Sequence, residues 1–204
     1  MAGKKRSPKR MSMMNRADLK FLIDSIGNQR DRALIAMLYL TGARIDEILG
    51  SKKWLIEGIK PKQFVEDVFN GHKIVTVVGI QTLKKKEIIK RSIPILYEQE
   101  KDFIKYIIDY VQFKEIGQDE LIFPITRQRA WQIIREKTGL FPHFFRHIRL
   151  THLTVNYGFT ETELMQFVSW KNTAPAAFYV HLSTKNIIEK MISSTTSSPN
   201  ALLA

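Results

Sequence analysis

The sequence predicts an α+β domain, mostly helical with a small antiparallel three-stranded sheet, and three observations lead there. Apolar residues recur at helical spacing toward both ends of the chain. Between them lie two β-leaning stretches, QFVEDVFNGHKIVTVV and IIKRSIPI, broken by Asn70-Gly71 and by the lysine-rich KKKE. A length of 204 residues with 44% hydrophobic content suits one well-buried domain and not two large ones.

In chain order, MAGKKRSPKR is too charged and too poor in apolar residues to fold alone, so residues 1–14 read as a basic arm or linker. A helix is expected over 16–26, stopped by Gly27. A second is expected over 30–40, with Leu34, Ile35, Leu38 and Tyr39 as its apolar stripe. Gly42 breaks the chain, and RIDEIL starts a short third helix. Asn70-Gly71 is the strongest hairpin signal, because both residues tolerate the left-handed backbone of a two-residue turn. A second hairpin runs from KIVTVVGIQTL through KKKE to IIKRSIPI. Helices follow over 98–113, 126–137, 144–157 and 161–168, then a short turn near Ala176 and a helix over 184–192. Residues 15–192 would form the domain and 193–204, containing SSTTSSPN, a flexible tail. There is no internal repeat.

Thirty-two Lys and Arg against 20 Asp and Glu give a net charge of +12, which favours a polyanionic partner such as nucleic acid. The chain has no cysteine, which excludes disulfides, thiolate catalysis and cysteine-bearing zinc sites. The longest strongly apolar run, ALIAMLYL, is far short of the roughly 20 residues of a spanning helix, and the N-terminus has no apolar signal core. A soluble, intracellular protein is expected.

The most chemically loaded stretch is PHFFRHIRLTHL, residues 142–153. At about 100° per residue, His143, Arg146, His147 and Leu150 share one side of a helix; Phe144, Ile148, Thr151 and Val155 form a core stripe beside it, and His152 lies opposite His143. A zinc site at His143 and His147 would set a cation against the guanidinium of Arg146, with no glutamate where a metalloprotease needs one. A histidine and an arginine one turn apart instead make a donor surface for phosphate.

Four pieces of the chain together resemble the catalytic domain of the tyrosine recombinases, the family of phage integrases and Xer recombinases. TGARIDEIL resembles the segment with the family's first catalytic arginine, and the lysine-rich hairpin ending in RSIPI resembles the one with its catalytic lysine. HFFRH resembles its H-x-x-R motif. SWKNTAPAAFYVHL resembles the block holding a His-or-Trp position and the nucleophilic tyrosine, with Tyr179 nine positions after Trp170.

The resemblance implies a site-specific recombinase that cleaves and rejoins duplex DNA through a 3′-phosphotyrosyl bond to Tyr179, with no cofactor and no metal. Arg44 and Arg146 would neutralise the phosphate oxygens in the transition state, and Glu47, three residues after Arg44, can hold that guanidinium in place. A hairpin lysine would protonate the leaving 5′-oxygen. Lys84 is chosen among Lys84, Lys85, Lys86 and Lys90 because QTLK resembles the strand end before the turn; Lys86 is the runner-up, counting back from Pro94. His143 would assist proton transfer at the tyrosine. Trp170 stands where many relatives have histidine and offers its indole N–H and bulk. His147 and His181 are read as supporting, structural residues.

A dimer or tetramer on DNA is expected, the helix over 184–192 passing to a neighbour, in the cytoplasm at the nucleoid. Relatives commonly carry an N-terminal helical domain that clamps the far side of the DNA, so the chain reads either as a minimal recombinase or as a catalytic fragment. The competing readings are a non-catalytic DNA-binding protein, which the charge supports equally well, and a type IB topoisomerase-like relaxing enzyme.

Overall fold

The computed structural model describes residues 14–84 and 87–180. The basic arm, Lys85, Lys86, His181, the helix expected over 184–192 and the tail lie outside the described residues. The elements follow in the order α1 (Arg16–Asp24), α2 (Gln29–Thr41), α3 (Ile45–Leu49), β1 (Gly50–Ser51), β2 (Ile56–Glu57), β3 (Phe64–Phe69), β4 (His72–Lys84), β5 (Glu87–Leu96), α4 (Tyr97–Phe113), α5 (Arg127–Thr138), α6 (Pro142–Tyr157), α7 (Glu161–Phe167) and α8 (Ala174–Val180).

Local chemistry starts and stops the helices. Asn15 caps α1 by accepting from the Asp18 N–H while the Asp18 carboxylate accepts from the Asn15 N–H. Asn28 caps α2, which ends at Gly42 in the left-handed conformation with φ 55°. Pro142 opens α6 and Gly158, φ 69°, closes it. The expectation of a single apolar stripe on α2 needs correction. Every residue from Ala33 to Leu40 is 0% exposed, because α1, α3, α4, α5 and α6 all pack around this helix. A helix apolar on all sides belongs at the centre of a domain.

The sheet has the order β3-β4-β5, antiparallel throughout. Phe69 pairs with His72 across Asn70 (φ 50°) and Gly71 (φ 81°), the two-residue turn that these residue types favour. Between Val77 and Ile80 the β4–β5 register shifts, so Val78 and Gly79 together face Ser92. Gly79 takes φ 69° there. The extra residue changes the inward phase of β4 from Val75 and Val77 to Ile80 and Thr82, while β5 keeps Arg91, Ile93 and Ile95 inward. Arg91 is thus a charged residue on the buried face, in unbroken alternation with Ile93 and Ile95. A second, two-residue ladder, Gly50↔Glu57 and Ser51↔Ile56, was not expected from the sequence. It needs glycine at position 50: a Cβ there would lie 2.7 Å from the Gly58 nitrogen.

Helix α6 lies between two apolar clusters. Phe144, Phe145 and Ile148 join the main core with α2, α4 and the inner sheet face. Leu150 and Leu153 join a smaller one with Leu164, Val168, Ala176 and Tyr179 from α7, α8 and the turn between them. On the α4 side, Glu100 is 0% exposed and accepts from Arg149, which is 2% exposed, from Arg16 at 3.1 Å and from the Tyr157 hydroxyl at 3.1 Å. Removing one member of a buried pair leaves a charge stranded without water. Glu100→Ala is therefore expected to destabilise the fold by roughly 3–5 kcal/mol in urea unfolding, and the partly exposed Arg16→Ala by about 1 kcal/mol or less. Equal losses would contradict this account.

Candidate active site

The site is built around the carboxylate of Glu47, on the short helix that follows Gly42. Glu47 is 2% exposed. Its Oε2 accepts from the Arg44 backbone N–H at 3.0 Å and from Arg91 Nη2 at 3.0 Å, and its Oε1 accepts from Arg44 Nη1 at 3.1 Å. Burial alone would raise this carboxyl's pKa. Arg91, then the Arg44 N–H, then the charges of Arg146 and Arg44 outweigh it and hold the group below the usual carboxylate range. Three guanidiniums thus share one carboxylate, which leaves the pocket with excess positive charge. The Arg44 side chain is 48% exposed, so its guanidinium is both aimed and open to a ligand.

Arg146 is 1% exposed and points from α6 toward the end of α2. Its Nη1 donates to the Gly42 carbonyl at 2.6 Å, and its Nη2 reaches the Val168 carbonyl at 3.5 Å, at the long limit of a hydrogen bond. Desolvation pushes its pKa down to about 10 despite Glu47, with Arg91 and Arg44 adding to the fall. One turn away, the rings of His143 and His147 meet edge to face at 4.7 Å. His143 opens to solvent on one side. On the other, desolvation and then His147, Arg146 and Arg44 push its imidazole down to about 4. His147 is also lowered, by burial first and then by Arg146. Both shifts favour the neutral imidazole.

Tyr179 sits on α8, 3% exposed, with its hydroxyl hydrogen-bonded to His147 Nδ1. Trp170 stacks on its ring at 6.1 Å with a 23° tilt, and the Arg146 guanidinium lies 5.5 Å from the centre of the Trp170 ring. Burial pushes the phenol up to about 12, against the opposing charge of Arg146. Trp170 is placed by a tight turn in which Ser169 takes φ 54° and the Trp170 N–H donates to the Met165 carbonyl at 2.9 Å.

Of the residues singled out in the sequence, Arg44, His143, Arg146, Trp170 and Tyr179 surround this one pocket. Lys84 ends β4 opposite Glu87, at the tip of the second hairpin; Lys86 and His181 lie outside the described residues. The hydroxyl of Tyr179 meets His147, expected only to support the site, and not His143. Arg91 was missed altogether. Its signal was present: a charged residue in phase with Ile93 and Ile95 on an alternating strand. Arg149 is equally buried but belongs to the Glu100 cluster. No three His, Asp or Glu side chains converge as a metal site among the described residues, and no helix there is long and apolar enough to cross a membrane.

No family model matches the chain. It is 24% identical over 193 residues to the tyrosine recombinase XerD of Corynebacterium glutamicum, covering 84% of this chain and 57% of that protein. It is 25% identical over 187 residues to the tyrosine recombinase XerD of Staphylococcus aureus, covering 83% and 55%. The chain thus spans little more than half the length of these relatives. Among solved structures, XerA recombinase superposes with a TM-score of 0.59 at 18% identity, over 96% of this chain and 68% of that one. XerH site-specific recombinase bound to a palindromic difH substrate in a post-cleavage complex gives 0.58 at 19% identity, over 85% and 50%. In sequence the chain is thus similar to the tyrosine recombinase XerD proteins, and in fold to the XerA and XerH recombinases.

Proposed function

We propose that this domain breaks and rejoins duplex DNA at specific sites, with Tyr179 as nucleophile. The observation that carries the reading is the Tyr179 hydroxyl held on the His147 imidazole beside a pocket in which two guanidiniums bond one carboxylate and a third faces it. Such a pocket is short of an anion, and a phosphodiester supplies it. Arg44, preorganised yet exposed, takes a non-bridging oxygen, and Arg146 sets the field on the other side. A phenol with a pKa of about 12 is a poor nucleophile until its proton leaves. His147 Nδ1 is placed to take it. The phenol oxygen then bonds to phosphorus, the bond from phosphorus to the 5′-oxygen breaks, and Lys84, with Lys86 as the alternative, protonates that oxygen. His143, at the open rim, bonds a phosphate oxygen. The ester energy is kept for rejoining, which distinguishes the reading from hydrolysis. Because Tyr179 is nearly covered at rest, DNA must shift α8 before the oxygen reaches phosphorus.

The partner on this reading is double-stranded DNA, held largely through phosphates by a chain of net charge +12. Recombination joins two duplexes, so the working form is a dimer or tetramer on DNA, in the cytoplasm at the nucleoid. The domain proper is residues 15–192, between the basic arm and the tail. A solely DNA-binding role leaves the Tyr179–His147 contact without a use.

The test uses nicked suicide duplexes with randomised arms, from which the protein selects those it attaches to covalently. Wild type should form a denaturant-resistant adduct; Tyr179→Phe should form none while binding the selected duplex with nearly unchanged affinity. Arg146→Ala should slow adduct formation by more than about a hundredfold, the scale of removing one transition-state donor. An adduct with Tyr179→Phe would overturn the assignment.

The pH dependence follows from the depressed imidazoles. A lowered pKa keeps the neutral, proton-accepting form until pH falls below that value. The acid limb of kcat/KM for cleavage should therefore lie below 6.5, the ordinary histidine value. A limb centred at or above 6.5 would remove His147 as the base.

A further inference from the structure

Arg91 is a charged side chain in a place an aliphatic one would fill. It is 7% exposed and lies on the inward face of β5 with Ile93 and Ile95, opposite Ile80 just past the bulge. Burying a guanidinium is unfavourable unless it is well paired, and replacing such groups by apolar ones is often neutral or better for stability. Nor is it fully paired: its Nε has no hydrogen-bond partner among the described residues. The residue therefore reads as serving geometry more than stability.

Its two remaining contacts run to opposite sides of the site. Nη2 donates to Glu47 Oε2 at 3.0 Å, the oxygen that also accepts the Arg44 N–H. Nη1 donates to the Phe167 carbonyl at 2.5 Å. That carbonyl and its neighbour, the Val168 carbonyl reached by Arg146, end α7, where carbonyls lack helical partners. Directly after them comes the turn that places Trp170 against Tyr179. One planar fork thus joins the carboxylate that aims Arg44 to the helix end that aims Trp170. It does so from the strand that leads down from the lysine hairpin.

We propose that Arg91 is a positioning residue for strand cleavage: by bridging Glu47 and the Phe167 carbonyl it holds Arg44 and the Trp170–Tyr179 pair in one frame. Lysine keeps the charge but offers a single compact ammonium that does not span two acceptors on different elements in a fixed plane. This inference rests on the cleavage reading above.

The test measures single-turnover adduct formation by Arg91→Lys on the duplex the wild-type protein selects, per folded molecule as counted by DNA-binding stoichiometry. Arg91→Lys should bind that duplex within about twofold of wild type and form adduct at least tenfold more slowly. The same change in an Arg44→Ala background should slow it by less than it does in wild type, because part of its action passes through Arg44. A merely structural role would change the unfolding midpoint and leave the two rate losses multiplicative. Arg91→Lys cleaving within twofold of wild type, or multiplicative losses, would overturn the positioning role while wild-type adduct keeps the cleavage reading. If wild type attaches to no duplex, both fall. Should Arg91→Lys fail to fold, Arg91→Gln, which retains a planar donor without charge, takes its place with the same criteria.

Discussion

The geometry of the pocket depends on one buried carboxylate. Glu47 accepts from a backbone N–H and two guanidiniums, Arg44 and Arg91, and its charge faces a third, Arg146. Without it, Arg44 would be a half-exposed side chain at a helix start, free to sample rotamers, and Arg91 an unpaired buried charge. With it, positive charge is concentrated and aimed. Repulsion among the three guanidiniums is tolerated because the carboxylate sits between them, and an incoming phosphate would relieve what remains.

The second constraint is the position of α6 between two apolar clusters. Its first turns carry His143, Arg146 and His147 where the clusters meet, so the main core fixes the donors while the smaller cluster holds Tyr179. The smaller cluster is built from few residues and two seven-residue helices, α7 and α8. Elements with little buried apolar area open at low free energy. A division of this kind lets the donors stay rigid while Tyr179, the proposed nucleophile, moves.

Much of this was legible in the sequence, and the residues show why. Asn70-Gly71 announces its turn because the required backbone angles are ones few other residue pairs accept. The three-stranded sheet and the helices followed from alternation, helical spacing and glycine stops, for the same local reasons. Leu34, Ile35, Leu38 and Tyr39 suggest a stripe by their spacing, but the whole run ALIAMLYL is apolar on every side, the mark of a central helix. The bulge at Val78-Gly79 was not readable, since an isolated glycine in a strand has several uses. Arg146 and Arg149 sit one turn apart on one helix, both buried. Their different partners, Gly42 with Val168 and Glu100, come from distant elements that no local pattern specifies. The contact of His147 with Tyr179 and the sharing of Glu47 by Arg91 are likewise tertiary facts. The family resemblance supplied the order of the site residues; it did not supply which imidazole meets the phenol.

If a single carboxylate organises the pocket proposed for cleavage, Glu47→Gln is the substitution that exposes it. The amide keeps the size and can still accept a hydrogen bond, but it loses the charge and one of the two acceptor oxygens. Single-turnover adduct formation and affinity for the selected duplex should be measured together. This account predicts a loss of more than about a hundredfold in the rate, the scale of removing a transition-state contact, with DNA affinity unchanged or slightly higher because the chain gains positive charge. A Glu47→Gln protein that forms adduct at the wild-type rate would contradict it.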